Sequence, residues 1–402
     1  MKRGLFTVGA AAALLATTVV GASAQSPGAA SSGSVEDVIA ALPADLAGLY
    51  DHYAGTVTLA SAPDVSGNPG PWKFCYSESY QGNPWRVALT NETKRLADEF
   101  IAAGILSEFV MADANGDVPT QISQIQSFID QGCDVILTIP GSASGLDGVI
   151  QTAYEAGIPV ITNSGAATSP YAINVDSNWY RWGYDMMVAI GNEIGEGNVL
   201  VVEGIAGAPI VAMQAEGREA ALAQFPGLKV VATVNGDWTP TTTQTVITQT
   251  LATNPADIDA VWTSGSETRI VTEAFKAAGR DVPLVTGSTS GDALGYWHEN
   301  PDGYRFTGNA VLPVPTANSG FRAALRTIMG QQPLLNTILV ELPAITQADL
   351  PDWFSECMTP DSGSIFPQPA TDPYPEDVFD AYFANGAATP PYDYANTPDP
   401  CG

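Results

Sequence analysis

From Asp113 to Asn163 the chain reads DANGDVPTQISQIQSFIDQGCDVILTIPGSASGLDGVIQTAYEAGIPVITN. Val118, Ile122, Ile125, Phe128 and Ile129 recur at helical spacing, and Gly132 follows as a stop. The apolar run Val135–Ile139 is too short for a helix and ends at Pro140, so it reads as a buried strand. Leu146, Val149, Ile150, Ala153 and Tyr154 then mark a second amphipathic helix, stopped at Gly157, and Val160–Thr162 marks a second strand that leads to Asn163. Helices that alternate with short apolar strands specify βαβ units and a parallel sheet. In such sheets ligands sit in the loops at the carboxyl ends of the strands.

The same alternation extends in both directions. Upstream, strand Trp72–Ser77 precedes a helix that starts near Pro84, with Leu89, Leu96 and Phe100 inward and Gly104 as its stop. Downstream, a long helix over Trp179–Glu196 leads into strands at Val199–Glu203, Lys229–Val234, Ala260–Thr263, Leu284–Thr286, Arg305–Ala310 and Ile338–Leu342, with helices between them. That is too many units for one small sheet, and two α/β lobes of doubly wound parallel sheet fit better. Residues 25–70 form an extension: a Gly/Ala/Ser-rich run, a stretch with Ile39, Leu42, Leu46 and Leu49 at mostly helical spacing, and a Gly/Pro linker over Pro63–Pro71. Residues 351–402 hold ten of the thirty prolines and read as an irregular tail that wraps over the second lobe.

Lys2 and Arg3, the apolar run Gly4–Val20 and Ala22-Ser23-Ala24 predict a signal peptide over residues 1–24, cleaved before Gln25. No cysteine lies near that point to carry a lipid, so a periplasmic or secreted location is expected. Without Lys2 and Arg3 the chain has 13 bases against 43 acids. Such a surface repels phosphate backbones and disfavours nucleic-acid binding. In an oxidising compartment the four cysteines permit three pairings. The pairs Cys75–Cys133 and Cys357–Cys401 are favoured, because the first two sit at early strands of one lobe and the last two share the tail. Buried free thiols are the alternative for the first pair.

Catalytic and cofactor signatures are missing. The two histidines, His52 and His298, lie far apart, and no HExxH, CxxC, Walker A or GxGxxG string occurs. The nearest string to a nucleophile elbow, Gly141–Gly145, has Ala143 at its centre. Asp113–Asp117 opens like a calcium loop but has Val118 at the sixth position and Gln124 at the twelfth. An α/β chain of this kind reads as a binder with no cofactor and no enzymatic activity.

The motifs in order are Gly82-Asn-Pro-Trp85, Ser123–Gln126 with Ile129–Ile136 and Pro140, Ala156–Thr162, Asp176-Ser-Asn178, Val202–Gly207, Gly236-Asp-Trp238 and Ala260-Val-Trp262. Over roughly Trp72–Leu342 the chain resembles the periplasmic sugar-binding proteins of ABC importers, with the ribose-binding-like type I fold. The resemblance implies two lobes joined by three crossovers, near Val175–Asn178, Asn309–Leu312 and Pro333–Leu339. The first lobe is then 71–176 plus 311–337, and the second 177–310 plus 338–350. It also implies a monomer that closes on a small molecule between the lobes and docks on an ABC permease.

Carried over position by position, the resemblance makes Asn83 a hydrogen-bonding residue, Trp85 a stacking one, and Trp238 the aromatic of the second lobe. Arg86 replaces a further aromatic. Asn163 precedes the place of an Asp-Arg pair that falls on Ser164 and Gly165 and is lost. Asn178, Trp182, Ser266, Glu267, Thr289 and Asn309 complete the candidate ligand set. A pocket with its aromatic walls kept and its charged clamps largely lost suits a monosaccharide-like or polyol ligand held by neutral groups, or a less polar molecule. A sensory ligand receptor on the same scaffold is the alternative function.

Overall fold

The structure is a computed structural model that describes residues 33–265, 267–301, 305–346, 348–369, 371–384, 396–397 and 399–402. The expected signal peptide and Ser266 lie outside the described residues.

The helix that begins at Val118 forms because Asp117 caps it, its carboxylate accepting from the Thr120 amide at 2.8 Å, and because Pro119 suits the first turn. Ile125 and Phe128 are buried, and Val118, Ile122 and Ile129 pack beside them against the sheet. Gly132 and Gly157 take φ of +69° and +80°, the left-handed conformation that ends a helix at low cost for glycine. The strands Val135–Thr138 and Val160–Asn163 are buried throughout, as a sheet covered on both faces requires.

These elements belong to the first of two six-stranded sheets. Its strands lie in the spatial order Thr337–Leu339, Ala172–Asp176, Val160–Asn163, Val135–Thr138, Trp72–Glu78 and Leu106–Asp113, all parallel. The second has the order Ala344–Ile345, Phe306–Asn309, Leu284–Gly287, Ala260–Thr263, Gly197–Glu203 and Leu228–Asn235, parallel except for Ala344–Ile345. Separate hydrophobic clusters cover the two faces of each sheet, so each lobe has its own core. Strand order reverses beside Trp72–Glu78 in one sheet and beside Gly197–Glu203 in the other. Each reversal is a switch point that opens a crevice at the strands' carboxyl ends.

One boundary differs from the sequence reading. The strand expected over Ile338–Leu342 begins at Thr337 and ends at Leu339, and it continues the first sheet, Thr337–Leu339 pairing in parallel with Asn174–Asp176. The third crossover therefore follows Leu339, and only Ala344–Ile345 reaches the second sheet. The other two connections between the sheets run from Asp176 into helix Trp179–Ile194 and from Asn309 into helix Pro313–Ile328.

The extension and the tail are packed onto this frame. Leu42, Leu46 and Leu49 enter the core of the first lobe. The backbone at Thr58 then runs beside Asn336, with Thr58 N–H donating to Asn336 Oδ1 at 2.7 Å and Asn336 N–H donating to Thr58 O at 3.0 Å. The tail does not stay on the second lobe as expected. Met358 joins Leu294 and Trp297 there, but Tyr374, Phe379, Tyr382 and Phe383 enter the core of the first lobe. Helix Pro313–Ile328 is consequently buried almost all round, and its Arg322 and Arg326 are met by Asp372, Glu376 and Asp380 of the tail. The sulfurs of Cys75 and Cys133, and of Cys357 and Cys401, lie at bonding distance, with Cα separations of 6.0 and 5.6 Å.

Candidate functional site

A cavity of about 390 Å³ lies between the carboxyl ends of the two sheets, at both switch points. The first lobe reaches it through the turn after strand Trp72–Glu78. Asn83 caps the next helix, its Oδ1 accepting from the Arg86 amide at 2.9 Å while its amide nitrogen donates to Tyr80 Oη at 3.1 Å. Pro84 and Trp85 open that helix, and the Trp85 indole N–H donates to Val311 O at 2.9 Å, across the second crossover. Its polar atom is thus occupied, and Trp85 both lines the cavity and packs against the core of the first lobe. Arg86 forms an ion pair with the fully buried Glu78, donates to Ser79 Oγ at 3.1 Å and lies 4.6 Å over the Tyr80 ring. Burial pushes the Glu78 carboxyl above its ordinary range, and Arg86 pulls it back.

The second lobe contributes Trp238, from the turn after strand Leu228–Asn235. Asp237 and Trp238 hold φ of +56° and +50°, a conformation that costs non-glycine residues about 1–2 kcal/mol each. The ring is fixed from several sides. Its N–H donates to Ser264 Oγ at 3.0 Å. A Cβ at Gly204 would overlap the ring, and one at Gly265 would strike both the ring and the Glu267 carboxylate. Gln214 braces Ser264 by accepting from its hydroxyl at 2.6 Å. Strain held in place by close packing on this side is what pre-organisation of a flat contact surface requires.

Carboxyl groups line the same side. Glu267 is buried at the start of helix Thr268–Ala277, and desolvation, with a smaller push from Asp292, raises its pKa to about 7. Asp292 accepts from Ser290 Oγ and from the Ala293 amide, and burial raises it too. Arg269 lies 3.8 Å from Asp361 of the tail. Ser288 and Ser290 complete the polar lining, and Pro360, Gly363 and Phe366 of the tail close one side.

Of the residues expected at the site, Asn83, Trp85, Arg86, Ser164, Trp238 and Glu267 line the cavity. Five do not. Trp182 is in the core of the second lobe, edge-on to Trp262 at 5.6 Å, because it lies one helical turn beyond Trp179 and faces the sheet. Trp179 lines the cavity in its place, held by an N–H bond to Asp176 at 2.6 Å. Asn178 caps helix Trp179–Ile194 and donates to the carbonyls of Leu49 and Asp51 in the extension. Asn163 turns away to donate to Thr316 O, and Asn309 donates to Leu342 O. Thr289 is fully buried away from the cavity. The sequence reading missed Tyr80, Gln214, Ser264, Arg269 and the tail residues. The expectation that charged groups were largely lost is also corrected: Arg86 and Glu267, both in the expected set, are joined in the lining by Arg269 and Asp292.

Asp176 ties the hinge together. Its carboxylate accepts from Trp179 and, at 3.2 Å, from Tyr53 Oη, and its carbonyl accepts from the Val340 amide of the third crossover. Burial raises its pKa to about 6.

His52 and His298 lie outside the cavity, stacked on Tyr180 and Phe354. Among the described residues no group of three His, Cys, Asp or Glu side chains could hold a metal ion, and no helix is long and apolar enough to cross a membrane.

Two α/β lobes joined by three crossovers, with an aromatic and hydrogen-bonding cavity between their switch points, have the architecture in which a small molecule is held between lobes. Residues 74–304 match the family described as Periplasmic binding protein domain, and the chain belongs to that family. It is 30% identical over 202 residues to a xylitol-binding protein of Mycolicibacterium smegmatis, which covers 49% of this chain and 58% of that protein. It is 28% identical over 235 residues to a ribose import binding protein of Bacillus subtilis, which covers 58% of this chain and 74% of that one. Among solved structures, an ABC transporter solute binding protein of Thermobispora bispora superposes with a TM-score of 0.66 at 29% identity, covering 72% of this chain and 90% of its own.

Proposed function

We propose that the chain is an exported solute-binding protein that captures a monosaccharide-like or polyol molecule between its lobes and delivers it, as a monomer, to an ABC permease. The observation that carries this reading is the composition of the cavity wall. Trp85, Trp179 and Trp238 line it with their indole N–H groups occupied by protein acceptors, so the rings offer faces to a C–H surface. Around them Asn83, Arg86, Gln214, Glu267, Asp292 and several serines supply donors and acceptors to a ring of hydroxyls. An aromatic hydrocarbon would pair none of the donor and acceptor positions that these groups still have open, at a cost of about 1–3 kcal/mol for each one it desolvates. The names of the relatives, one a xylitol-binding protein and one a ribose import binding protein, support the same ligand class.

Binding without turnover belongs to this reading, as the matched family is one of binding proteins. A periplasmic or secreted location after signal cleavage belongs to the same reading. Calorimetric titration with ribose and xylitol tests it. The expected result is one site per chain and recovery of the ligand unchanged after prolonged incubation. Chemical conversion of the ligand, or binding of neither compound nor of any other pentose, hexose or polyol, would overturn it.

A further inference from the structure

The chain beyond the matched family region ends in a segment that touches both lobes and the cavity. On the second lobe, Ile365 O accepts from the Gly291 amide at 2.7 Å, and Met358 packs with Leu294 and Trp297. The fit is close, since a Cβ at Gly295 would collide with the Met358 backbone. On the first lobe, Arg322 donates to Tyr374 O and pairs with Asp372 at 2.5 Å, and Arg326 pairs with Glu376 at 2.6 Å. Tyr382 Oη donates to Leu339 O at 3.0 Å, beside the third crossover, and Pro333 pairs with Phe383 as antiparallel strands. Between the last second-lobe anchor and the first first-lobe anchor, Ile365 to Asp372, the chain can reach at most about 25 Å. The Cys357–Cys401 pair returns the end of the tail to its start. Where the segment passes the cavity, Pro360, Asp361, Gly363 and Phe366 form part of the lining.

We propose that the tail is an inter-lobe strap that forms a third wall of the ligand cavity and limits how far the two lobes open. Hinge opening separates the anchors on the two lobes, and it proceeds only until the short link is taut. Opening further requires release of the Ile365 and Met358 contacts on the second lobe, or removal of Arg322 and Arg326 from the tail carboxylates and of Phe379 and Tyr382 from the core of the first. Phe366, held beside the cavity, restricts the ligand on the side that faces neither lobe's own loops. The ligand-selecting part of the proposal rests on the small-molecule binding function proposed above, whereas the limit on opening does not.

The test measures the distance between spin labels on Gln151→Cys in the first lobe and Thr245→Cys in the second, both exposed helix positions, without ligand. A protease site replacing Pro367–Thr371 lets the link be cut after folding, and Cys357→Ser with Cys401→Ser removes the second connection. The strap predicts a narrow distance distribution in the uncut protein and a shift to longer and broader distances once the link is cut, because the remaining route from Phe383 to Cys401 is more than twice as long; removing the disulfide as well should keep or enlarge that shift. An identical distribution in the doubly severed protein would overturn the proposal. The wall is tested by Phe366→Ala, which should weaken binding of ribose or xylitol about tenfold. Unchanged affinity removes Phe366 from the site. A wild-type chain that binds neither compound counts against the sugar reading, and the distances still decide the strap.

Discussion

Replacing Glu267 by Gln isolates one titratable group in the cavity, and its effect can be worked out from the structure. The Glu267 carboxyl is buried and, among the described residues, accepts no side-chain bond that would compensate its charge. Asp292 adds repulsion, and the nearby Arg269 is engaged with Asp361. Its pKa rises from an ordinary 4.5 to about 7. Between those values the folded chain binds more protons than the unfolded chain, so stability falls as pH rises. The penalty is absent below about 4.5 and complete above about 7, and at about 1.4 kcal/mol per pH unit it amounts to about 3 kcal/mol. Gln keeps the size of the side chain and cannot ionise. In unliganded protein followed by scanning calorimetry, Glu267→Gln should match wild type at pH 4.5 and unfold at a higher temperature at pH 8. The gain should appear in whichever transition reports the second lobe, should the lobes unfold separately. A difference between the two proteins that does not change with pH would refute the reasoning, because it would mean that Glu267 titrates alike in the folded and unfolded chains.

Arg86→Met removes the partner of the fully buried Glu78 and should cost about 3–5 kcal/mol in chemical unfolding, while Glu78→Leu combined with Arg86→Met should recover most of it. Trp238→Ala should weaken ligand binding by about 1–3 kcal/mol in a calorimetric titration. Trp182→Ala should lower stability by about 3–5 kcal/mol in the same unfolding assay, through the cavity it leaves beside Trp262, and should leave the ligand contacts in place. Asn178→Ala removes a helix cap and two bonds to the extension; a loss of about 1–2 kcal/mol with ligand affinity unchanged would match its structural role.

The two lobes were legible because the period of the apolar residues changes between helix and strand and glycine marks the stops, a pattern that local chemistry enforces at Gly132 and Gly157. The turn at Asn83-Pro84-Trp85 was legible for the same reason, as a cap and a first helical proline that put an indole at a strand's carboxyl end. Trp179 and Trp182 show where such reading stops. Three residues apart, they lie close on one helix surface, and the one that reaches the cavity is decided by the tilt of the helix on its sheet. Thr337–Leu339 carries apolar residues that either sheet could bury, so its composition did not say which lobe it joins. The tail was hardest to read. Its prolines mark irregular backbone, but its partners are Arg322 and Arg326 on a helix fifty residues upstream, and no local period records that contact. Arg269 and Asp292 entered the cavity through tertiary placement alone.

The most direct measurement of the central claim is mass spectrometry of the small molecule released when the protein, purified from its native host, is denatured. The account predicts about one equivalent per chain of a polyhydroxylated five- or six-carbon compound that, added back, raises the melting temperature by mass action. Release of an aromatic or otherwise hydroxyl-free ligand that binds back to the same cavity would contradict it.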